Sequence, residues 1–198
     1  MIRLTCMFAA VLLLLSPAPS VAGEATETVK TAQRALLEGL AEPASAARDQ
    51  RIEARMDALF DFHGMAAATL GDQWSAWSAA GKAEYTALFA RLVRKHYRRT
   101  LEGMLGRQVT YLAEEEGRGE QRGSVRVRVR AKALASDKAE PPRIDLRLHK
   151  PAGKLKVVDV YTDGVGLVDS YRARVRPVAV NEGQVAAMLH LQRELDKD

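Results

Sequence analysis

Apolar residues recur every three or four positions through much of the first half of the chain, which is the pattern of amphipathic helices. This pattern predicts two helices separated by Pro43, short helices joined by glycine turns from Phe60 to Trp74, and a long helix between Ser78 and Gly106. Ser78 is a favourable N-cap for the long helix, which carries the clearest apolar stripe. The stripe consists of Tyr85, Leu88, Phe89, Leu92, Val93, His96, Tyr97, Leu101 and Met104.

After Gly106 the period of the pattern changes to two, which is typical of strands with one buried face. The predicted strands lie around residues 109–111, 125–130, 144–148 and 155–161. Their connections are short and polar, and Pro151-Ala152-Gly153 forms a tight turn before the last strand. Four consecutive strands with such connections indicate an antiparallel meander.

Two further helices are predicted to close the chain. The first runs from about Val165 through Tyr171 to Val175, and the second is capped by Asn181 with Gln184 three residues later. The predicted architecture is therefore α+β, with helices packed on one face of a highly twisted four-stranded antiparallel sheet. Residues 23–198 are expected to form one such domain, which is long enough to bury a core of its own.

The first 22 residues have the organisation of a secretory signal peptide. A positive charge at Arg3 precedes an apolar run at residues 4–15, which is too short to span a bilayer. Small residues then favour cleavage after Ala22, although a membrane anchor is the alternative. The single cysteine, Cys6, lies in the segment to be removed, so the mature domain is expected to fold without disulfides.

The positive balance of the chain limits its partners. The formal net charge is +5 and the isoelectric point is near 9.5. An exported protein meets anionic lipid headgroups and acidic protein surfaces, so nucleic acid is not the expected partner. Solubility alone explains such an excess equally well, because the charge is spread over many elements.

The reactive side chains do not form a pattern typical of an enzyme. The four histidines are far apart in sequence, and none belongs to a pair spaced for metal binding. The mature chain has no cysteine nucleophile, no serine in a glycine-flanked elbow and no glycine-rich phosphate loop. We therefore predict a protein without catalytic residues, metal site or cofactor.

Asp159 is the exception that keeps an enzymatic alternative open. It lies among apolar residues of the last strand, where an unpaired carboxylate is costly to bury. A sheet wrapped by helices can host proton transfer of the ketosteroid-isomerase type, with Asp159 as base and Tyr111 or Tyr161 polarising a carbonyl. The simpler interpretation is a carboxylate paired with Arg172 or turned toward solvent.

An ordered set of residues resembles the toluene-tolerance family, also called the MlaC family. In the first half the set consists of Phe60-Asp61-Phe62, Met65, Leu70-Gly71, Trp74, Tyr85, Phe89 and Tyr97. In the second half it consists of Val157-Val158-Asp159-Val160, Gly164-Val165-Gly166-Leu167-Val168 and Tyr171-Arg172. The resemblance extends from about Val29 to Leu195. The sequence departs from the family pattern at five positions. The family commonly has aromatic residues in place of Leu155 and Val158. It commonly has serine in place of Gly166, asparagine in place of Ser170 and phenylalanine in place of Val175.

The resemblance implies a periplasmic carrier of phospholipid with an NTF2-like fold and a hydrophobic cavity between helices and sheet. The implied partners are an inner-membrane ABC transporter complex, of which the carrier is an auxiliary component, and an outer-membrane lipoprotein complex. Together they maintain the lipid asymmetry of the outer membrane. The carrier itself is expected to be a monomer and not an enzyme. A hopanoid-associated branch of the family makes a polycyclic terpenoid the alternative cargo.

A carrier of acyl chains needs long apolar walls, because each buried methylene contributes about 0.8 kcal/mol. The candidate lipid-binding residues of the helices are Phe60, Met65, Leu70, Trp74, Leu88, Phe89, Leu92 and Tyr97. Those of the sheet are Val125, Val127, Val129, Ile144, Leu146 and Leu148. The alternative is a filled core, because stripes of this kind build every core. His96 is interpreted as a hydrogen-bonded residue at the border of that core rather than as a headgroup ligand.

Overall fold

The computed structural model describes residues 23–197 except for 113, 139, 151 and 152. The predicted signal peptide, residues 1–22, lies outside the described residues, as do Pro151 and Ala152 of the predicted turn. The division of the chain into a signal peptide and a domain of residues 23–198 therefore stays a prediction. Within the described ranges, no helix is both long enough and apolar enough to cross a membrane.

The described chain contains the predicted alternation of a helical half, a sheet and closing helices. Its α-helices are α1 (Glu24–Ala41), α2 (Ala46–Leu59), α3 (Phe62–Leu70), α4 (Gln73–Ala76), α5 (Ala79–Glu102), α6 (Leu167–Asn181) and α7 (Gln184–Leu195). Local sequence explains several starts, since the side chains of Ser45, Asp61 and Ser78 each accept a hydrogen bond from a backbone N–H in the first turn. The predicted N-cap of the long helix is one of these.

The sheet is antiparallel and has more strands than the predicted four. Its strands are β1 (Val109–Tyr111), β2 (Glu115–Glu116), β3 (Val125–Ala131), β4 (Ile144–His149), β5 (Lys156–Thr162) and β6 (Val165–Gly166). Their order is β1-β3-β4-β5-β6, and β2 also pairs with β3. The two additional strands, β2 and β6, have two residues each, which is too short for an alternating pattern to reveal. The predicted α+β class is confirmed.

One face of the sheet packs against the helices and forms the core. Val127 lies opposite Leu146 in the register, and both are fully buried. α1 contacts β3, α2 and α5, while α3 contacts α5 and α6. The alternation of β3 and β4 thus buries their apolar residues and turns their arginines to the other face.

A β-bulge in β5 decides which of its residues face the helices. Leu148 pairs with Val157, but Arg147 pairs with Asp159, so Val158 is the extra residue. After the bulge, Val160 pairs with Leu146 and continues the core face. Asp159 consequently lies on the outer face, beside Arg147.

Two predicted boundaries of the closing helices were wrong. α6 does not end near Val175 but continues through Pro177 to Asn181, and Val175 and Ala179 are buried on either side of the proline. Burial of this face offsets the lost backbone hydrogen bond that proline causes. Asn181 is the last residue of α6 and not the cap of α7, because Gly183 precedes α7 with a φ of 88° and reverses the chain there.

Candidate functional site

The predicted lipid-binding residues come together in one hydrophobic cluster between the helices and the sheet. Most of them are buried, whereas Trp74, Leu88 and Val125 are half-buried and pack against the cluster. Periodicity therefore identified the inner faces of the elements correctly. Whether these residues contact a ligand stays a prediction.

Aromatic rings lead from this cluster toward the surface. Tyr97 packs edge-on against Phe60, with ring centroids 5.0 Å apart. Tyr171 packs edge-on against Phe89 at 5.7 Å. Tyr97 and Tyr171 therefore lie between the predicted residues of the helices and the outer side of the cluster.

On that outer side, a cavity of about 450 Å³ opens where α5, β5, β6, α6 and the end of α7 meet. We call it the α5–α6 cavity. Its floor consists of the buried residues Val93, Tyr97, Val160 and Tyr171. At its edge Val165 is 64% exposed and extends the apolar surface outward.

The rim of the α5–α6 cavity is polar. The guanidinium of Arg174 lies over the ring of Tyr171, 4.4 Å from its centroid, and Nη1 is 3.3 Å from Oε2 of Glu194. His96 Nε2 lies 3.2 Å from the hydroxyl oxygen of Tyr171. Arg99 also lines the rim. An apolar floor below a charged rim suits a ligand with an apolar body and a polar end.

A buried polar contact holds Tyr97 of the floor in place. Gln33 Nε2 donates a hydrogen bond of 2.8 Å to the Tyr97 hydroxyl, and both residues are buried. Burial strongly raises the pKa of Tyr97 and also raises the pKa of Tyr171. Both hydroxyls are therefore neutral at physiological pH and act only as hydrogen-bonding groups.

Of the fourteen predicted residues, Tyr97 lines the α5–α6 cavity, and the sequence interpretation overlooked the other floor residues. Tyr171 could have been found, because Val168, Tyr171 and Val175 follow each other at helical spacing. The basic rim carried no such signal, since charged residues on the outer faces of helices are ordinary. His96 has its predicted hydrogen-bond partner at the border of the core, although the residue is exposed.

A second apolar depression, the α1–α2 groove, lies between those two helices and the start of β5. It measures about 580 Å³ and includes Ala32, Ala58, Leu59 and Leu155. Leu59 is buried, whereas Ala58 is exposed. The groove is more open than the α5–α6 cavity, so it is the secondary candidate.

Asp159 fixes the start of α6 to β5. It is 1% exposed, and its Oδ1 accepts hydrogen bonds from the backbone N–H groups of Val160 (2.9 Å) and Val168 (3.0 Å). Arg147 Nη2 lies 3.7 Å from Oδ2, which accepts no hydrogen bond from any described residue. Burial raises the pKa of Asp159, while the two N–H groups and Arg147 oppose that rise.

The predicted environment of Asp159 was wrong, because it is neither paired with Arg172 nor turned toward solvent. Arg172 instead donates to Asp169 (2.9 Å) and to the carbonyl of Ala68 (2.8 Å). The β5 bulge places the carboxylate beside Arg147, and the second turn of α6 directs Arg172 toward α3. Sequence alone shows neither effect, since both depend on pairing between distant segments.

The geometry gives little support to the ketosteroid-isomerase alternative. Tyr111 is on β1, which β3 and β4 separate from β5, so about 14 Å of sheet lies between it and Asp159. Tyr161 is closer, but the guanidinium of Arg126 covers its ring at 4.3 Å. Asp159 lines neither the α5–α6 cavity nor the α1–α2 groove. Its hydrogen bonds indicate a structural role.

The open acceptor on Asp159 leads to a prediction at Gly166. A Cβ at this position would lie 3.0 Å from Asp159 Oδ2, and the backbone φ of −72° suits any residue. The free energy of unfolding of Gly166→Ser is expected to be about 1 kcal/mol higher than that of Gly166→Ala, because the serine hydroxyl caps α6 and donates a hydrogen bond to Oδ2 of Asp159. Both variants add the same Cβ beside Tyr161, so that crowding cancels. Equal free energies of unfolding in urea would contradict the prediction.

The chain is similar in sequence to one protein family and in fold to a solved structure. The sequence matches the family model described as MlaC protein over residues 26–193. The three-dimensional structure of the phospholipid-binding protein from Ralstonia solanacearum, in complex with a phospholipid at 1.53 Å resolution, has a similar fold with a TM-score of 0.71. That alignment covers 87% of this chain and 97% of the other at 20% identity, so it shows the fold alone. Curated protein sequences gave no significant match. Within the described residues, no cluster of histidine, cysteine, aspartate and glutamate could hold a metal ion.

Proposed function

The chain belongs to the MlaC family, and from that premise we propose that it is a periplasmic carrier that holds the acyl chains of a phospholipid in the α5–α6 cavity and the core beneath it. The family match covers residues 26–193 and confirms the resemblance seen in the sequence. The structure of the Ralstonia solanacearum protein of similar fold is a complex with a phospholipid, which supports the choice of cargo.

The single observation that carries the proposal is the apolar floor of the α5–α6 cavity below its charged rim. A diacyl lipid exposes roughly thirty methylene groups, and burying each contributes about 0.8 kcal/mol. Apolar area therefore dominates binding, and the headgroup stays at the polar, solvent-accessible rim. The buried floor residues Val93, Tyr97, Val160 and Tyr171 supply the first part of such a surface.

Two long acyl chains need more room than the cavity offers. Its volume of about 450 Å³ lies in the lower half of the range of about 300–1,000 Å³ for sites of drug-sized ligands. The additional room would come from the cluster below, if the rings of Tyr97 and Tyr171 turned away from Phe60 and Phe89. The fourteen predicted residues would then line the acyl chains, as the sequence interpretation proposed.

We also propose that exchange is passive and that the carrier catalyses no reaction. A partner in the membrane opens the cavity, and the chains slide between donor and carrier while the headgroup stays in water. The partners implied by the family are an inner-membrane ABC transporter complex and an outer-membrane lipoprotein complex. Shuttling between these complexes would maintain the lipid asymmetry of the outer membrane.

Surface arginines are less available for docking to acidic partners than their number suggests. Arg94 is paired with Asp57, and Arg128 is paired with Glu115. Exposed pairs of this kind reduce the local field and contribute little stability. Steering of the carrier by its charge would therefore depend on arginines outside such pairs, among which Arg99 lies at the rim of the α5–α6 cavity.

The proposal is tested by identifying what the protein binds after export to a bacterial periplasm. Native mass spectrometry of the purified protein, followed by solvent extraction, is expected to give one diacyl phospholipid per chain. A bound hopanoid would leave the assignment of the fold unchanged and would place the protein in the hopanoid-associated branch of the family. A clean apo mass, with no uptake from liposomes or a loaded donor protein, would mean that the core is filled and the carrier proposal is wrong.

A further inference from the structure

The rim of the α5–α6 cavity carries positive charge that the protein does not neutralise. Arg174 is paired with Glu194 at 3.3 Å. Arg99, in contrast, lines the rim and forms no side-chain hydrogen bond or ion pair with any residue that the structure describes. A guanidinium at the edge of an apolar floor is therefore free to bind an anion.

The state of His96 indicates the same positive potential. Its pKa is lowered by partial loss of hydration and by the charges of Arg99, Lys95 and Arg174, whereas Glu194 acts in the opposite direction. The hydrogen-bond partner of the ring is the neutral hydroxyl of Tyr171. At neutral pH the imidazole is therefore uncharged, and in the tautomer whose Nε2 accepts from Tyr171 its Nδ1–H is left for another acceptor.

We propose that this mouth binds the phosphate of the lipid headgroup, with Arg99 and His96 as its donors. The carrier would accordingly prefer phosphate-bearing lipids to uncharged lipids with the same acyl chains. The inference rests on the proposed function, because it assigns a headgroup to the same site. A guanidinium suits this role, since it presents several N–H donors in a plane that matches the oxygens of a phosphate.

The apolar floor favours a lipid phosphate over a free anion. Val93 and Val160 lie within the same cavity as Arg99 and would receive the first methylenes below a headgroup. A free phosphate would leave that apolar surface exposed to water. A lipid phosphate satisfies the donors and covers the floor in one binding event.

The preference can be measured with vesicles that contain equal amounts of phosphatidylglycerol and diacylglycerol with identical acyl chains. After incubation and separation, the lipids extracted from wild-type protein are expected to be enriched about tenfold in phosphatidylglycerol, as a charge-assisted hydrogen bond provides. Arg99→Gln should reduce the enrichment about tenfold without lowering the total lipid carried. Arg91→Gln is the matched control, because Arg91 is an exposed arginine on α5 about two turns from Arg99 and outside the α5–α6 cavity.

The outcomes separate this inference from the carrier proposal. Equal loading of the two lipids by the wild type would overturn the phosphate site while leaving the carrier intact. The same loss of enrichment in Arg91→Gln and Arg99→Gln would also overturn it, because net charge would then be the cause. Uptake of neither lipid would refute the carrier proposal itself.

A second readout follows the imidazole of His96 by ¹⁵N NMR, with His63, His149 and His190 as internal references. Loading with phosphatidylglycerol is expected to raise the pKa of His96, since a nearby anion favours the charged ring. Loading with diacylglycerol should not. If diacylglycerol or millimolar inorganic phosphate alone raised this pKa equally, the site would not be one for lipid phosphate and the inference would fall.

Discussion

Ser170→Trp is expected to lower the lipid loading of the protein about 100-fold while leaving it folded. Ser170 lines the α5–α6 cavity from α6, where a tryptophan ring would occupy the space above the apolar floor. Excluding about four methylenes costs about 3 kcal/mol, which corresponds to roughly a hundredfold in affinity. Loading is measured by native mass spectrometry after incubation with phosphatidylglycerol vesicles.

The fold should tolerate this substitution. The hydroxyl of Ser170 donates only to the carbonyl of Gly166 in its own helix, at 2.7 Å, and such a bond adds little to helix stability. The new ring would cover apolar surface that is now open to water. Thermal unfolding of Ser170→Trp is therefore expected within a few degrees of the wild type.

Ala58→Trp is the matched control, because it adds a ring of similar size to the α1–α2 groove. Ala58 is exposed and belongs to the groove but not to the α5–α6 cavity. Its lipid loading should equal that of the wild type. If Ala58→Trp lost lipid and Ser170→Trp kept it, the acyl chains would have to lie in the groove between α1 and α2.

The parts of the fold that the sequence predicted well are those determined by local pattern. The stripe of α5 and the alternation of β3 and β4 depend only on which side of an element is buried, and both are found as expected. The β5 bulge and the passage of α6 through Pro177 depend on pairing and packing with distant residues. Such non-local effects override propensity and leave no periodic signal.

The candidate site was less predictable than the fold for a related reason. A residue such as Leu146 has the same sequence signature in a filled core as in a cavity wall, since both bury an apolar side chain. What distinguishes the α5–α6 cavity is the gap between elements, which depends on how the end of α7 and the first turns of α6 are placed. Arg99, Arg174 and Glu194 meet only because of that placement.

Asp159→Ala is expected to lower the free energy of unfolding by about 3 kcal/mol. The substitution removes the acceptor of two buried N–H groups, those of Val160 and Val168, and each unsatisfied group costs about 1–3 kcal/mol. It also leaves Arg147 without the carboxylate beside it. Urea unfolding followed by circular dichroism measures the loss, and a change below 1 kcal/mol would mean that Asp159 does not anchor α6.

Asp159→Asn separates the acceptor from the charge. The amide oxygen can still accept from Val168, so the loss should be about 1 kcal/mol. Because burial raises the pKa of Asp159 in the folded state, its contribution to stability is fully present below the pKa of about 3.9 of an unfolded aspartate and is lost as the pH rises. The stability of the wild type relative to Asp159→Asn is therefore expected to fall as the pH rises above about 4. A difference that grew with pH would show that the ion pair with Arg147 outweighs the cost of burial.

The same pair of variants connects the anchor to the cavity. Asp159 holds the first turn of α6, and Leu167, Ser170 and Tyr171, which follow on that helix, line the α5–α6 cavity. In Asp159→Ala the start of α6 is released, so lipid loading should fall together with stability. In Asp159→Asn the helix stays capped, and loading should remain close to that of the wild type. If both variants carried lipid equally well, the position of the first turn of α6 would not control the cavity, and Asp159 would act on stability alone.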